Sequence, residues 1–345
     1  MIENVSDSLV RVVNDQKIIT FDGYCGVEDL EEKKRLLSYK GEYKDILEVD
    51  DIVGEKEYYC ITVNGLFLGS SVLGDSQVLI YRGKREDRGV ERLRWVSASE
   101  VRPGDMAVFN VNGKRRNTGL LSEYADSEGL ATFLGYYALE GFINYEKEKI
   151  VFHLEPEFSE MEKEIREACA KISVAEMESY SYMGESFLSV KDDVLKEVCL
   201  LFGDKNKDRK LPEELLYMSA GFLKEFVQPF LYLNKDKRGS YFRPSASLDM
   251  FIGYKRIFMR IGSFANVYFC KSKDGKFTYY AFVMNKKELG NAFSFDGVEK
   301  DNWFKTDGLV YMRVDGNERI DGNVGVCRMR IDGEGSYCKN LIFCR

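Results

Sequence analysis

Histidine is almost absent from this chain, because His153 is the single one among 345 residues. Zinc sites are commonly built from His and Cys ligands, and Ser-His or Cys-His catalysis needs an imidazole beside the nucleophile. No Cys-x-x-Cys pair occurs among the eight cysteines at positions 25, 60, 169, 199, 270, 327, 338 and 344. The sequence therefore argues against zinc sites and histidine-dependent hydrolysis, and it predicts reduced, buried thiols.

Long apolar runs are missing as well. No segment approaches the roughly 20 consecutive apolar residues of a transmembrane helix. The first residues, MIENVSDSLVRVVND, lack the basic and then apolar segments of a secretion signal. We therefore expect a cytoplasmic protein without a membrane span.

An excess of positive charge is also missing, since 50 Lys and Arg face 57 Asp and Glu and the net charge is −7. This balance does not favour nucleic-acid binding. The basic residues nevertheless cluster in short segments at 84–94, 114–116, 205–210 and 235–238. Such clusters are most often solvated loops, although an acidic protein can still present one basic face.

The order of strand and helix patterns predicts three parts. Short strand patterns broken by Asp-Gly, Asn-Gly and Pro-Gly turns fill residues 1–118, helices dominate 119–300, and strand patterns return in 301–345. A chain of 345 residues is also long for one hydrophobic core. We therefore expect an all-β module that is split by an inserted α/β domain.

Within the inserted part, one series of elements occurs twice. The predicted elements are helices at 127–140, 158–172, about 212–233 and 247–262, with hairpins at 142–154 and 265–284. In the last helix, Phe251, Tyr254, Phe258 and Ile261 form one apolar stripe. This order predicts an internal repeat.

The outer β segments resemble a Hint (Hedgehog/intein) module. The resemblance is carried by NDQKIITFDGYCGVEDL (14–30), WVSASEVRPGDMAVF (95–109) and RIDGEGSYCKNLIFCR (330–345). Splicing in that family needs a Cys or Ser at the first residue, a Thr-x-x-His pair and a terminal His-Asn. The matching positions here are Arg11, Gly74, Gln77, Cys344 and Arg345. The resemblance therefore implies a Hint scaffold that cannot splice, and active splicing is the least favoured alternative.

The inserted part resembles an endonuclease of the LAGLIDADG (dodecapeptide) family. In that family two motif helices pack side by side, and each ends in an acid that binds a divalent metal. The segment FLGYYALEG (133–141) matches the first motif. Gly135 stands at the close-packing position, and Glu140 stands at the position of the metal-binding acid.

The second motif, VQPFLYLNK (227–235), departs from the family pattern. Pro229 occupies the position where glycine is usual, and it would kink a helix interior unless it lies in the first turn. Asn234 replaces the acid, and Asp236 could substitute for it only if the backbone shifts. The resemblance therefore predicts one intact and one degraded half of a catalytic site.

The resemblance to the LAGLIDADG family also implies a partner, a cofactor and an oligomeric state. These are double-stranded DNA, Mg²⁺ or another divalent metal, and a monomer with internal pseudo-symmetry. Magnesium prefers hard oxygen ligands, which explains why acids are needed. The hairpin strands would lie along the major groove, with candidate DNA contacts at Asn144, Lys147, Lys149, Lys235, Lys237, Arg238, Lys271, Lys273 and Lys276.

The expected fold class is α+β, with a split all-β Hint-like module and an inserted pseudo-twofold αββαββα LAGLIDADG domain. Two functions stay open. The first is an intein-derived endonuclease that hydrolyses phosphodiester bonds and is impaired by Asn234. The second is a catalytically dead descendant that acts as a DNA-binding or structural interaction protein.

Overall fold

The computed structural model shows two compact units. The split unit comprises Met1–Arg115 and Asp296–Arg345, and the continuous unit comprises Arg116–Phe295. The described residues are 8–13, 17–20, 23–31, 34–65, 69–83, 92–111, 121, 127–154, 160–203, 209–233, 241–245, 247–263, 266–271, 278–284, 303–306, 308–333, 335–339 and 341–345. The protein is α+β. The assignment of residues 1–118 and 301–345 to a Hint-like module, and of residues 119–300 to a LAGLIDADG domain, stays a prediction.

One 13-stranded antiparallel sheet forms the split unit. Its strands, numbered along the whole chain, are β1 Ser8–Val13, β2 Lys17–Thr20, β3 Gly23–Gly26, β4 Arg35–Leu37, β5 Tyr43–Val63, β6 Ser70–Leu73, β7 Gln77–Tyr81, β8 Leu93–Ser97, β9 Met106–Asn110, β17 Trp303–Thr306, β18 Leu309–Ile331, β19 Tyr337–Lys339 and β20 Ile342–Cys344. Strands from the first and last parts of the sequence pair directly, as β1 and β5 do with β18. The two ends of the chain therefore fold as one unit.

Strand β18 connects the split unit because it changes partners along its length. Its first residues pair with β9 and β17, and its last residues pair with β1 and β5. The β5–β18 register shifts between Val314 and Gly316 and again between Asp321 and Val324. Such irregularities bend a long ribbon and increase its twist, which allows one strand to serve two parts of the sheet.

Among its described residues, the core of the split unit contains one buried cation. Lys339 is fully buried, and its ammonium group donates hydrogen bonds to the carbonyl oxygens of Val13 and Ser71, each at 2.9 Å. A buried ammonium group is stable only when its donors are satisfied. Lys339 therefore ties the last strands of the chain to the first ones.

Helices and two small sheets form the continuous unit. Its elements are α1 Glu128–Glu140, β10 Gly141–Asn144, β11 Lys149–Leu154, α2 Met161–Lys171, β12 Glu176–Tyr182, β13 Glu185–Lys191, α3 Asp193–Leu200, α4 Ala220–Leu233, β14 Tyr241–Ser245, α5 Leu248–Arg260, β15 Asn266–Lys271 and β16 Thr278–Met284. The sheets are antiparallel, with strand orders β10-β11-β13-β12 and β14-β16-β15. None of the helices in the described ranges is long and apolar enough to cross a bilayer.

Most predicted elements of the continuous unit are confirmed, with one correction and one omission. The helix predicted at about 212–233 is instead a 3₁₀ helix, Glu213–Tyr217, followed by α4. The helix restarts because the Ser219 side chain accepts a hydrogen bond from the N–H of Phe222 at 3.1 Å and acts as a new cap. The β12–β13 hairpin and α3, which together are the omission, were not predicted from the sequence; β12 is rich in Glu and Ser.

Helix α5 is more buried than its stripe predicts. Phe251 and Phe258 are buried as expected, but Lys255 and Arg256 are buried as well. The Arg256 guanidinium donates to both carboxylate oxygens of Glu213, at 2.6 and 2.7 Å. The apolar spacing of the sequence predicts that only one face of α5 is buried. In the structure, Lys255 and Arg256 are also buried.

Candidate functional site

Helix α1 carries the candidate acid at its last position. Ser127 caps the helix, because its side-chain oxygen accepts a hydrogen bond from the N–H of Leu130 at 3.2 Å. Between Gly129 and Ala138 every residue except Thr132 is buried. A helix that is buried all round lies at the centre of its unit. The apolar sequence therefore belongs to a central helix, and Glu140 is half-buried at its end.

Gly135 lies at the closest approach of α1 to α4. A Cβ atom at this position would overlap the carbonyl oxygen of Phe226 and would lie 2.9 Å from Cγ of Pro229. No other residue type can occupy this position without moving one helix, because real Cβ atoms do not approach heavy atoms so closely. The structure thus brings together the two predicted packing positions, Gly135 and Pro229.

Pro229 lies in the interior of α4 and not in its first turn. The helix nevertheless continues to Leu233. The proline ring packs against the surface that Gly135 leaves free. Proline and glycine therefore form a complementary pair, in which the missing side chain on one helix makes room for the ring on the other.

The counterpart of Glu140 on the second motif falls outside the described residues. Helix α4 is described as far as Leu233, and both Asn234 and Asp236 follow it. Whether either side chain approaches Glu140 therefore stays a prediction. The same holds for Lys235, Lys237 and Arg238, the candidate phosphate contacts after the second motif.

Glu140 belongs to no preformed cluster of metal ligands in the described part of the chain. In the described part of the chain, no group of three or more His, Cys, Asp or Glu side chains is placed to hold a metal ion. Mg²⁺ usually keeps several water ligands and is held by one or two carboxylates together with substrate phosphates. A single hard carboxylate at a helix end fits that mode of binding, whereas it does not fit a closed, all-protein metal cage.

The first small sheet has one covered and one open face. Phe152 on β11 contacts the rings of Phe133 and Tyr137 on α1, with ring centroids 5.2 and 6.4 Å apart. Side chains alternate along a strand, so Lys149 and His153 point to the other side. We call that side the open face, and the strand register adds Asn144, Glu176, Glu178, Tyr180, Tyr182, Glu185, Phe187 and Lys191 to it. The same register places Phe142 and the buried Val151 and Ser189 on this side.

The cations of the open face are paired with carboxylates. Lys149 lies 3.1 Å from Glu178, and Lys191 lies 3.6 Å from Glu176. The imidazole of His153 also lies near a carboxylate, since its Nε2 is 3.6 Å from Glu185. Among the predicted DNA contacts, Asn144 accepts a hydrogen bond from the N–H of Lys147 at 3.1 Å and so stabilises its own turn. Lys147 is exposed in that turn.

The remaining predicted DNA contacts lie on the second hairpin. Lys271 is the last residue of β15, but its side chain is outside the described part. Lys273 and Lys276 also lie outside the described residues. Their role in DNA contact therefore stays a prediction.

An aromatic row crosses the open face, and sequence analysis did not predict it. The rings of His153 and Phe187 are 5.4 Å apart, and those of Phe187 and Tyr180 are stacked at 5.4 Å. The signal was present as the alternation SYSYMGESFLSV around a Met-Gly turn. It was missed because the β12–β13 hairpin was not recognised.

Sequence analysis also missed Arg209. The residue belongs to the basic cluster at 205–210, which we expected in a solvated loop, yet it is 7% exposed. Its guanidinium group donates to the carbonyl oxygens of Tyr137 and Gly141, on either side of Glu140. No local pattern distinguishes Arg209 from its basic neighbours, because its burial results from packing against α1.

The predicted junction positions lie near one another in the split unit. The guanidinium group of Arg11 forms an ion pair with Asp75, the neighbour of Gly74. Arg11, Gly74 and Asp75 also line one cleft of about 390 Å³. The hydroxyl of Tyr337 donates to the carbonyl oxygen of Arg11 at 3.3 Å.

The last two junction positions belong to the same neighbourhood. Arg345 and Gln77 exchange two backbone hydrogen bonds of 2.9 Å, and Nε of Arg345 donates to Oε1 of Gln77 at 2.6 Å. Cys344 pairs with Val78 and with Tyr337 in the sheet. Burial raises the pKa of the Cys344 thiol to about 12, so the thiol is protonated at neutral pH. These side chains therefore offer no nucleophile for splicing.

Comparison with known proteins identifies likenesses in structure only. No family model and no curated protein sequence matches the chain. The structure is similar to variants of the homing endonuclease I-DmoI, at 12% identity and a TM-score of 0.37 over 48% of this chain and 92% of that chain. I-DmoI in complex with DNA and Ca gives 12% identity and 0.37 over 48% and 87%. The N-terminal LAGLIDADG domain of DUF199/WhiA gives 11% identity and 0.33 over 54% and 92%.

Proposed function

We propose that this chain is an intein-derived LAGLIDADG endonuclease that binds duplex DNA and hydrolyses phosphodiester bonds with a divalent metal. The contact of α1 with α4 at Gly135 carries the proposal. It packs the first motif helix directly against the second, as two paired half-sites require. We also propose that the protein acts as a cytoplasmic monomer, in which both half-sites come from one chain.

The chemistry assigned to Glu140 follows from its position. Its carboxylate is half-buried at the end of a central helix, where the surrounding elements hold the backbone in place. A bound Mg²⁺ would supply charge stabilisation and an activated water for phosphodiester hydrolysis. Glu140 would hold that ion, with water and DNA phosphate as the other ligands. Asn234 would weaken the second half-site, so nicking of one strand is the expected product.

The neighbourhood of Arg11, Gly74, Gln77, Cys344 and Arg345 supports the intein-derived part of the proposal. These positions were assigned from the resemblance to the splicing residues, and they come from three separate stretches of the sequence, at 11, 74–77 and 344–345. Contacts of Arg11 with Asp75 and of Gln77 with Arg345 bring them together in the split unit. We propose that this neighbourhood is a Hint splicing site that has lost its reactive groups.

A nicking assay tests the proposed activity. Supercoiled plasmids carrying a library of candidate target sites are incubated with the protein and Mg²⁺ or Mn²⁺, and open-circular DNA is measured. We expect Glu140→Gln to abolish nicking, because an amide keeps the shape but loses the charge that holds the metal. Glu146→Gln is the matched control, since Glu146 lies exposed in the following turn and should be dispensable.

A second candidate function is a catalytically dead DNA-binding or structural interaction protein. The paired charges of the open face favour it, because two lysines there face three glutamates and both lysines are engaged in ion pairs. Phosphate contacts need available cations. Binding of the same plasmids without nicking would support a DNA-binding descendant, and absence of both would support an interaction protein.

A further inference from the structure

Arg209 holds the backbone on both sides of Glu140. One terminal nitrogen donates to the carbonyl oxygen of Gly141 at 3.0 Å, and the other donates to the carbonyl oxygen of Tyr137. Its guanidinium carbon also lies 4.4 Å from the centre of the Tyr137 ring. The side chain therefore contacts the last turn of α1 and the first residue of β10.

The contacts of Arg209 satisfy carbonyl groups at the C-terminal end of α1. The last carbonyl groups of a helix have no partner within it, and together they carry a partial negative charge. Tyr137 accepts from the N–H of Gly141, which closes the helix, and Arg209 adds a charge-assisted donor to the same oxygen. Arg209 thus stabilises the turn at which α1 becomes β10, and Glu140 is the residue in that turn.

Arg209 is a buried cation, and burial of a charged side chain costs free energy. Among the described residues no carboxylate forms an ion pair with it, and its Nε has no hydrogen-bond partner there. Burial lowers the pKa of the Arg209 guanidinium, because the charged form is poorly solvated. A buried charged group is costly unless its donors are satisfied, and the two terminal nitrogens of Arg209 are satisfied by the carbonyl oxygens on either side of Glu140.

We propose that Arg209 is a positioning residue for Glu140, fixing the backbone that presents its carboxylate to a divalent metal. This inference rests on the proposed nuclease function. A lysine at the same position keeps the charge but carries all its donors on one nitrogen, so it lacks the planar fork whose two separate nitrogens reach the two carbonyl groups. An alanine holds neither and leaves a space of the shape of a guanidinium ion.

The test combines two measurements on the full chain. Hydrogen exchange at residues 137–144 reports the backbone directly, and Mn²⁺ binding followed by electron paramagnetic resonance reports the carboxylate. In Arg209→Ala we expect faster exchange at these residues and a Mn²⁺ affinity that is about 10- to 100-fold weaker, as for other residues that orient metal ligands. Arg209→Lys should show a smaller change in both.

Added guanidinium separates positioning from a general loss of stability. About 20 mM guanidinium should restore Mn²⁺ affinity in Arg209→Ala, because the ion can occupy the space and donate to both carbonyl groups. Urea at the same concentration should not. The matched control is Arg166→Ala, which removes an exposed arginine from α2 that pairs with Glu162 at 2.8 Å. It should leave exchange at 137–144 unchanged.

Different outcomes overturn different claims. Unchanged exchange and unchanged Mn²⁺ affinity in both Arg209 variants would overturn the positioning role. Absence of any Glu140-dependent Mn²⁺ binding in the wild-type protein would overturn the proposed function. If Mn²⁺ binding is absent, hydrogen exchange at residues 137–144 would still show whether Arg209 stabilises the turn. If Arg209→Ala does not fold, the graded effect expected for Arg209→Lys decides, and a fully wild-type Arg209→Lys contradicts the proposal.

Discussion

Gly135 allows α1 to approach α4 closely. Its missing side chain admits the Pro229 ring and the carbonyl oxygen of Phe226. Proline lacks a backbone N–H and is normally costly in a helix interior. Here its ring fills the space that a larger residue at position 135 would occupy. The two departures from ordinary helix composition therefore form one structural unit.

Substitution of Gly135 should destabilise the continuous unit. In Gly135→Ala the new methyl group meets backbone and ring atoms that cannot move aside, so we expect a loss of about 1–3 kcal/mol. Urea unfolding followed by helical circular dichroism measures it, since all described α-helices belong to this unit. Gly221→Ala is the control, because its nearest neighbouring atom would lie 3.8 Å away. If the urea midpoint of Gly135→Ala equals that of the wild-type protein, the close contact between α1 and α4 at this position is refuted.

Between elements, a buried ion pair joins α5 to the 3₁₀ helix Glu213–Tyr217. Both side chains of the Arg256–Glu213 pair are less than one-tenth exposed. The hydroxyl of Tyr217 adds a hydrogen bond to Glu213 at 3.1 Å. A pair in these surroundings is worth little against an apolar replacement, but loss of one partner leaves a buried charge. The pair therefore specifies how α5 docks.

Neutralising Glu213 should be far more costly than neutralising an exposed acid. We expect Glu213→Gln to lower the free energy of unfolding by about 3–5 kcal/mol, because Arg256 stays buried and charged. Glu178→Gln breaks the exposed pair with Lys149 and should cost less than about 1 kcal/mol. Equal midpoints for the two variants in urea unfolding would contradict the burial of the Arg256–Glu213 pair.

For the molecule as a whole, the split unit requires both ends of the chain. β18 provides partners for β1, β5 and β9, and β20 provides one for β7. Without residues 296–345 these strands would expose unpaired backbone and apolar side chains. None of the described strands within residues 116–295 belongs to their sheet.

Fragment complementation tests this dependence. We expect fragment 1–115 to remain unfolded alone and to fold and copurify when it is coexpressed with fragment 296–345. Trp95 and Trp303 both belong to the split unit, so tryptophan fluorescence follows its unfolding. Fragment 116–295 should fold without either. Cooperative unfolding of fragment 1–115 by itself would show that β18 is dispensable.

Local chemistry made part of this protein predictable from sequence. Helices α1, α2 and α5 and the hairpins β10–β11 and β15–β16 follow from apolar spacing and turn residues, which act over a few positions. The close-packing role of Gly135 came from the resemblance, and the structure places it against Pro229. The β12–β13 hairpin was not predicted, because the alternating residues of β12 are Glu, Ser and Tyr and include few apolar side chains.

The sequence by itself determined that this protein has a single histidine, an apolar helix ending in Glu140, and strand-forming ends that flank a helical middle. Only the tertiary structure decided which charges are buried. Arg209, Lys255 and Lys339 look in the sequence like any surface cation, yet each lies in a core. The reason is physical: capping and periodicity act within a few residues, whereas burial depends on which distant elements pack against a side chain.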